Sequence, residues 1–141
     1  MRTTRSADGQ RCIVVGYGVQ GHKRAASAGQ RLVAVVDPVH PEATHPDVRD
    51  VPTSDYDIAI VCTPDEPKAE LLEWLVSRGK HVLVEKPLFA DVVTLQSLQD
   101  SANDHDALLL TAYNHRFEPH FVRMRDLIRS GELGRIYSCR M

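Results

Sequence analysis

Three glycines stand at Gly16, Gly18 and Gly21 in the stretch Gly16-Tyr17-Gly18-Val19-Gln20-Gly21, directly after the apolar run at 12–15. This spacing suits a turn in which the backbone itself meets a ligand. The first glycine allows the tight turn, the second lets a pyrophosphate approach, and the third lets the next helix pack closely on the strand. The unfilled N–H groups and positive dipole end of that helix would face the phosphates. Asp37 closes the next apolar run, about 20 positions on, where a carboxylate can accept hydrogen bonds from ribose hydroxyls. Together these residues predict a dinucleotide site.

Asp37 also bears on which dinucleotide. A ribose 2′-phosphate about 4 Å away would be repelled by several kcal/mol even at an effective dielectric near 20. The residues that follow, Pro38-Val39-His40, bring no arginine to neutralise it. NAD is therefore expected over NADP, with His40 the one residue able to soften the preference. Val15, just before the first glycine, separates the chain from S-adenosylmethionine methyltransferases, which usually carry an acidic residue there.

Polar groups recur where apolar runs end, in Cys62-Thr63-Pro64-Asp65, in Glu85-Lys86-Pro87 and in Asn114-His115-Arg116. In an open parallel sheet these ends share the ligand-binding edge with the glycine loop. Lys86 follows a fully apolar strand, and its ammonium can hydrogen-bond a substrate hydroxyl and favour loss of its proton. His115 and His120 also lie in this region, but a loop histidine and a first-turn helix histidine are the readings preferred to proton acceptors. His40, His45 and Asp47 loosely suggest metal ligands; two prolines and the lack of a third close histidine make that stretch a solvated loop, and no metal is expected.

Elements must hold these residues in place. Runs at 12–16, 31–37, 57–63, 81–86 and 107–113 read as strands, mostly continuous and apolar. Between them, 19–29 reads as a helix closed by Gly29. A second follows a Thr63-Pro64-Asp65-Glu66 capping box, with Asp65 an alternative cap, and carries Ala69, Leu72, Leu75 and Val76 on one face. A third is capped by Asp91, with Leu95, Leu98 and Ala102 in register. A last helix opens at Glu118-Pro119, aligns Phe121, Met124 and Ile128, and closes at Gly131. The alternation predicts an α/β fold, a doubly wound, mostly parallel Rossmann sheet with helices on both faces. Residues 38–54, with four prolines, read as a loop or a vestigial strand. Residues 1–10 read as a flexible extension, 11–118 as the dinucleotide-binding domain, and 119–141 as a connecting helix and the start of a second domain.

The chain has 141 residues, 43% apolar and 26% charged, with a net charge of −2. It is long enough for one core, and its charge offers no footprint for nucleic acid or an anionic membrane. Arg123, Arg125, Arg129, Arg135 and Arg140 make the end basic, yet lack the aromatic partners of a nucleic-acid surface. No apolar run nears the roughly 20 residues of a membrane span. Cys12, Cys62 and Cys139 are widely spaced and read as buried small hydrophobes; with no secretory signal at the start, a reducing cytoplasm is expected.

The chain resembles the Gfo/Idh/MocA family of sugar and inositol oxidoreductases from about Arg11 onward. The resemblance rests on the Gly16–Gly21 loop, Asp37, Cys62-Thr63-Pro64, the run from Gly79 through Glu85-Lys86-Pro87, Tyr113 to Pro119, and Ser130-Gly131-Glu132-Leu133-Gly134. It implies that Gly16, Tyr17, Gly18, Val19, Gln20, Gly21, Asp37, Cys62, Thr63, Pro64 and Asp65 line NAD(P). It implies that Glu85, Lys86 and Pro87 sit by the nicotinamide with Asn114 and Arg116 near it, and that Lys86 touches the substrate as the catalytic residue. The expected reaction is hydride transfer between nicotinamide C4 and a secondary alcohol of a sugar or cyclitol; the alternative is a non-catalytic NAD(H)-binding or redox-sensing module.

The segment after Asp37 departs from the family pattern, shorter and richer in proline. The family's second, antiparallel domain, with the substrate pocket and commonly a catalytic histidine, would begin at Ile136-Tyr137-Ser138-Cys139-Arg140-Met141. The chain is thus expected to be the cofactor-binding part of a longer, homo-oligomeric enzyme, inactive alone.

Overall fold

Strands that are apolar along their whole length need cover on both faces, and a parallel sheet with helical crossovers supplies it. The computed structural model describes residues 9–64 and 68–140. Within them, β1 (Cys12–Val15), β2 (Leu32–Val36), β3 (Ile58–Val61), β4 (His81–Val84) and β5 (Leu109–Thr111) form one all-parallel sheet in the order β2-β1-β3-β4-β5. Four α-helices accompany it: α1 (Val19–Ala28), α2 (Lys68–Val76), α3 (Val92–Asp104) and α4 (Pro119–Ser130). The chain moves one way from β1 through α1 to β2, then the other way through α2 and α3. Right-handed crossovers therefore set α1 on one face and α2 and α3 on the other. The order reverses between β1 and β3, which is where an open sheet of this kind leaves a crevice at its carboxyl edge.

The two faces are not equally covered. Ile13, Val15, Ala59, Val61, Val82 and Val84 alternate toward Leu72, Leu75 and Val76 of α2 and Leu98 and Ala102 of α3, making the main core. On the other face Ala25 and Ala28 of α1 are buried. Past α1, Ile58, Ile60 and Leu83 are half-buried and Leu108 and Leu110 are exposed, around an open hollow of about 870 Å³. This hollow includes none of the glycine-loop residues.

Several end signals act as expected. Gly29 and Gly131 cap their helices at φ 55° and 76°, and the Asp91 carboxylate accepts the Thr94 N–H at 2.7 Å. Residues 38–54 form no α-helix. They hold a single parallel bridge, Val36 to His45, and the 3-10 turns Val48–Asp50 and Thr53–Asp55. Val48, Val51 and Tyr56 tuck this loop into the core, and Lys80 donates to the Thr53 and Tyr56 carbonyls at 2.6 and 2.9 Å. The capping box at Thr63 falls partly on residues 65–67, outside those described.

Other expectations give way. Leu95 is 39% exposed, so α3 buries a narrower stripe than its sequence suggests. No residue of α4 is buried, with Phe121 and Met124 half-covered and Ile128 exposed, because α4 packs on the turn at 114–117 rather than on the sheet. Residues 136–140 form no strand and Cys139 is exposed. A segment with no neighbour to take its N–H and C=O groups gains nothing from a ladder. Among the described residues no helix is long and apolar enough to cross a membrane.

The core makes a direct test. Leu72 is fully buried, and Leu72→Ala should cost about 2–5 kcal/mol in urea denaturation through lost transfer energy and a residual cavity.

Candidate functional site

The carboxyl edge is assembled by hydrogen bonds that continue the sheet past its strands. The Gly16 N–H donates to Val36 at 2.8 Å, that of Cys62 to Val15 at 2.7 Å, that of Glu85 to Val61 at 2.8 Å and that of Ala112 to Val84 at 2.9 Å. The glycine loop, the start of the Asp37 loop, Cys62-Thr63, Glu85-Lys86 and the Asn114 turn therefore line one edge. The sequence-predicted residues converge there, apart from Asp65, which lies outside the described residues.

The glycines are required by contact. Gly16 has φ +89°, and a Cβ on it would lie 2.8 Å from the Cys62 carbonyl carbon and the Thr63 nitrogen. A Cβ on Gly21 would sit 2.1 Å from the Gly16 oxygen. Gly18 is different, since a Cβ there would meet nothing within 4 Å. Gly18 is also the N-cap of α1, with no side-chain cap and no acidic residue in the first turn. The space before this helix thus faces unfilled N–H groups and a positive dipole end, with no built-in anion to compete. At the end of β3, the buried hydroxyl of Thr63 has no hydrogen-bond partner among the described residues. Open space before a helix start and an orphan hydroxyl at the neighbouring strand end fit a phosphate-linked dinucleotide.

Asp37 braces the turn it was expected to serve. Its Oδ2 accepts the Tyr17 N–H at 2.8 Å, and its Oδ1 accepts those of Val39 and His40 at 3.0 and 2.9 Å. Burial works to raise its pKa, but the three N–H donors and nearby His40 outweigh it and hold the carboxyl below its ordinary value. The Tyr17, His22 and His40 rings form a cluster beside it, with centroids 4.0–5.2 Å apart. His22, His40 and Glu42 bring donor atoms within 4.8 Å of one another. His40 Nδ1 already accepts the Glu42 N–H at 3.2 Å. His45 Nδ1 lies 2.9 Å from the Thr44 hydroxyl, and the Asp47 carboxylate accepts the Arg49 N–H at 2.8 Å.

Glu85 is buried, and both Nε and Nη2 of Arg24 on α1 donate to its Oε1, the Nε at 2.6 Å. Lys68, also buried, donates from Nζ to the carbonyls of Pro87 at 2.7 Å and Glu85 at 3.3 Å. Lys86 between them is exposed, and the Lys86–Pro87 peptide is cis. Burial, then the Glu85 carboxylate, pushes the Cys62 thiol up to about 11 against the smaller opposing effects of Arg24 and Lys68. Cys62 is thus a neutral packing group at neutral pH. Asn114 and Arg116 lie exposed on the 3-10 turn Asn114–Phe117. His115 and His120 both contact the Glu118 carboxylate, at 2.7 and 3.2 Å.

Sequence reasoning did not single out Arg24, Lys68 or His22. Arg24 carried a faint signal, as a cation one helical turn past Gly21 on the face that must meet the sheet. Lys68 carried none, since a lysine beginning an amphipathic helix ordinarily reads as solvated.

A strand order that reverses beside a glycine turn, with a carboxylate at the second strand's end, defines a dinucleotide-binding domain of the Rossmann class. The comparisons agree: the family model described as "Oxidoreductase family, NAD-binding Rossmann fold" matches residues 10–113. The chain belongs to this Gfo/Idh/MocA oxidoreductase family. It is similar to inositol 2-dehydrogenase of Rhizobium meliloti, 33% identical over 82% of this chain and 38% of that protein. It is also similar to the D-xylose 1-dehydrogenase (NADP(+)) of Haloarcula marismortui, 32% identical over 64% of this chain and 26% of that protein. The structure of scyllo-inositol dehydrogenase from Lactobacillus casei with bound NAD(H) and scyllo-inositol shares the fold, at TM-score 0.75 and 22% identity over 89% of this chain and 42% of that chain. The chain thus spans well under half the length of the relatives it matches.

Asp37 gives a pH test. A carboxyl whose pKa is lowered by folding stabilises the fold above its ordinary value of 3.8, and that contribution fades as pH falls through the lower folded value. Urea denaturation should find wild type more stable than Asp37→Asn above pH 3.8, with the difference shrinking below it. A difference constant from pH 6 to pH 2 would mean that the charge of Asp37 is not what the N–H groups hold.

Proposed function

We propose that the chain is the nucleotide-holding domain of an NAD-linked dehydrogenase acting on a secondary alcohol of a sugar or cyclitol. The observation that carries this reading is the sheet's carboxyl edge, where the open helix start at Gly18, the orphan Thr63 hydroxyl and the exposed Lys86 follow β1, β3 and β4. In this reading the N–H groups of Val19, Gln20 and Gly21 receive the pyrophosphate. Asp37 meets the adenine-side ribose, and Cys62, Thr63, Pro64 and Asp65 line the middle. Glu85, Pro87, Asn114 and Arg116 flank the nicotinamide end. A bound nicotinamide supplies the hydride acceptor or donor at C4. Lys86 donates a hydrogen bond to the substrate oxygen and stabilises its developing negative charge, while the hydroxyl proton passes to a base of the substrate-holding part.

Residues 11–118 form the cofactor domain, and Pro119 onward is the connection to a substrate-holding part. Support comes from α4, which buries no residue, and from the greater length of the relatives. NAD is preferred to NADP because Asp37 would meet the ribose with no arginine beside it among the described residues; His22 and His40 are the nearby groups that would moderate this. The substrate class follows the inositol and sugar dehydrogenases among the relatives, and the whole protein is read as a cytoplasmic homo-oligomer.

Calorimetric titration of the chain with NAD, NADH and NADP tests the premise. Binding of NADH in the micromolar to low millimolar range, tighter than NADP, is expected, and no binding at millimolar concentration would overturn it. Asp37→Ala should weaken NAD more than NADP, and an equal effect would take Asp37 off the ribose. Lasting NADH affinity without polyol oxidation by the whole protein would favour a redox-sensing module over an enzyme.

A further inference from the structure

Lys68 is 3% exposed, yet carries an ammonium. A buried charge costs several kcal/mol unless its surroundings replace the lost water. Its position makes the choice less favourable still, because a cation at the N-terminal end of a helix opposes the dipole. Its neighbours on α2, Leu72, Leu75 and Val76, fill the core with apolar side chains, so packing alone would be served by another of those. Lys68 instead sends its Nζ to two carbonyls, Pro87 at 2.7 Å and Glu85 at 3.3 Å, one on each side of Lys86.

The same short turn is held from other directions. The Glu85 N–H is tied to Val61 of β3 at 2.8 Å, and the Glu85 carboxylate is tied to Arg24 of α1. Those two bonds fix the residue before Lys86. Lys68 reaches past it to the residue after. The Lys86 side chain is exposed, so its direction is set by the backbone that carries it.

We propose that Lys68 is a positioning residue, whose buried ammonium grips the Glu85 and Pro87 carbonyls and so aims Lys86 at the nicotinamide end of the crevice. This deepens the cofactor reading above and rests on it. Lys68 touches neither cofactor nor substrate; it acts through Lys86.

The test is a double-mutant cycle on the 141-residue chain, with NADH and ADP-ribose as probes, since ADP-ribose lacks the nicotinamide. Lys68→Met keeps most of the stem and removes the charge. It should weaken NADH at least fivefold and ADP-ribose less than twofold, while Lys68→Arg keeps both near wild type. In a Lys86→Met background the same Lys68→Met change should have almost no further effect on NADH. Equal weakening of both probes, or an equal Lys68 effect with and without Lys86, would assign Lys68 a merely structural role and overturn the proposal.

Residue-resolved hydrogen exchange separates this from failure of the cofactor reading. Lys68→Met should speed exchange of the Glu85 amide at least tenfold while amides of β1 and α3 change less than twofold. A uniform rise, or no rise at Glu85, would overturn the proposal. Wild type binding neither probe would overturn the cofactor reading, and local exchange would still decide whether Lys68 holds the turn. Should Lys68→Met not fold, Lys68→Gln carries the same comparisons.

Discussion

Everything at the carboxyl edge depends on two stretches of backbone passing closer than a side chain would permit. Gly16 lies against the peptide joining Cys62 to Thr63, and Gly21 lies against Gly16 itself. The first contact sets the β1 turn directly beside the β3 turn, and the second sets the start of α1 above both. A methyl group at either place must push apart elements whose hydrogen bonds run through the same residues. The glycine spacing is therefore a requirement of the sheet before it is one of any ligand. Gly18 alone is free of that constraint, and the room it leaves is on the outside, where a ligand would come.

Beneath this edge lies a small buried polar system in an otherwise apolar interior. Arg24 comes from one face of the sheet and Lys68 from the helix on the other, and they meet the Glu85 segment from opposite sides. Such pairs add little net stability compared with well-packed apolar groups, but breaking one leaves an uncompensated charge. Their effect is to link the glycine-turn helix to the Lys86 turn through one residue, so that the two halves of the edge share a frame.

How much of this could be read from the chain follows from how local each signal is. The strands were legible because each is a short, mostly apolar run followed by polar or turn residues, and the caps at Asp91, Gly29 and Gly131 because they act within a few residues. Gly16, Gly21 and Asp37 were legible because their spacing is set by one strand-turn-helix unit. Long-range facts were not. That Asp37 spends its oxygens on the Tyr17, Val39 and His40 N–H groups depends on where two loops meet. Arg24 and Glu85 are 61 positions apart, and Lys68 looks solvated until the Glu85 turn is set against it.

The loop between Asp37 and Tyr56 has one more consequence, for how this domain can change over time. Its inner end is pinned by Val48, Val51 and Tyr56, and Thr44 is bonded to Val35 of β2, while its outer tip, Pro41 to Ala43, is held by the bonds of the Glu42 and Ala43 N–H groups to His40. Loop closure grows dearer only slowly with length, by about 0.6 kcal/mol per doubling. Insertions and replacements can therefore accumulate at the outer end without disturbing a strand. In a fold whose glycines, buried charges and strand ends tolerate little, this border is where descendants of the chain can diverge most freely.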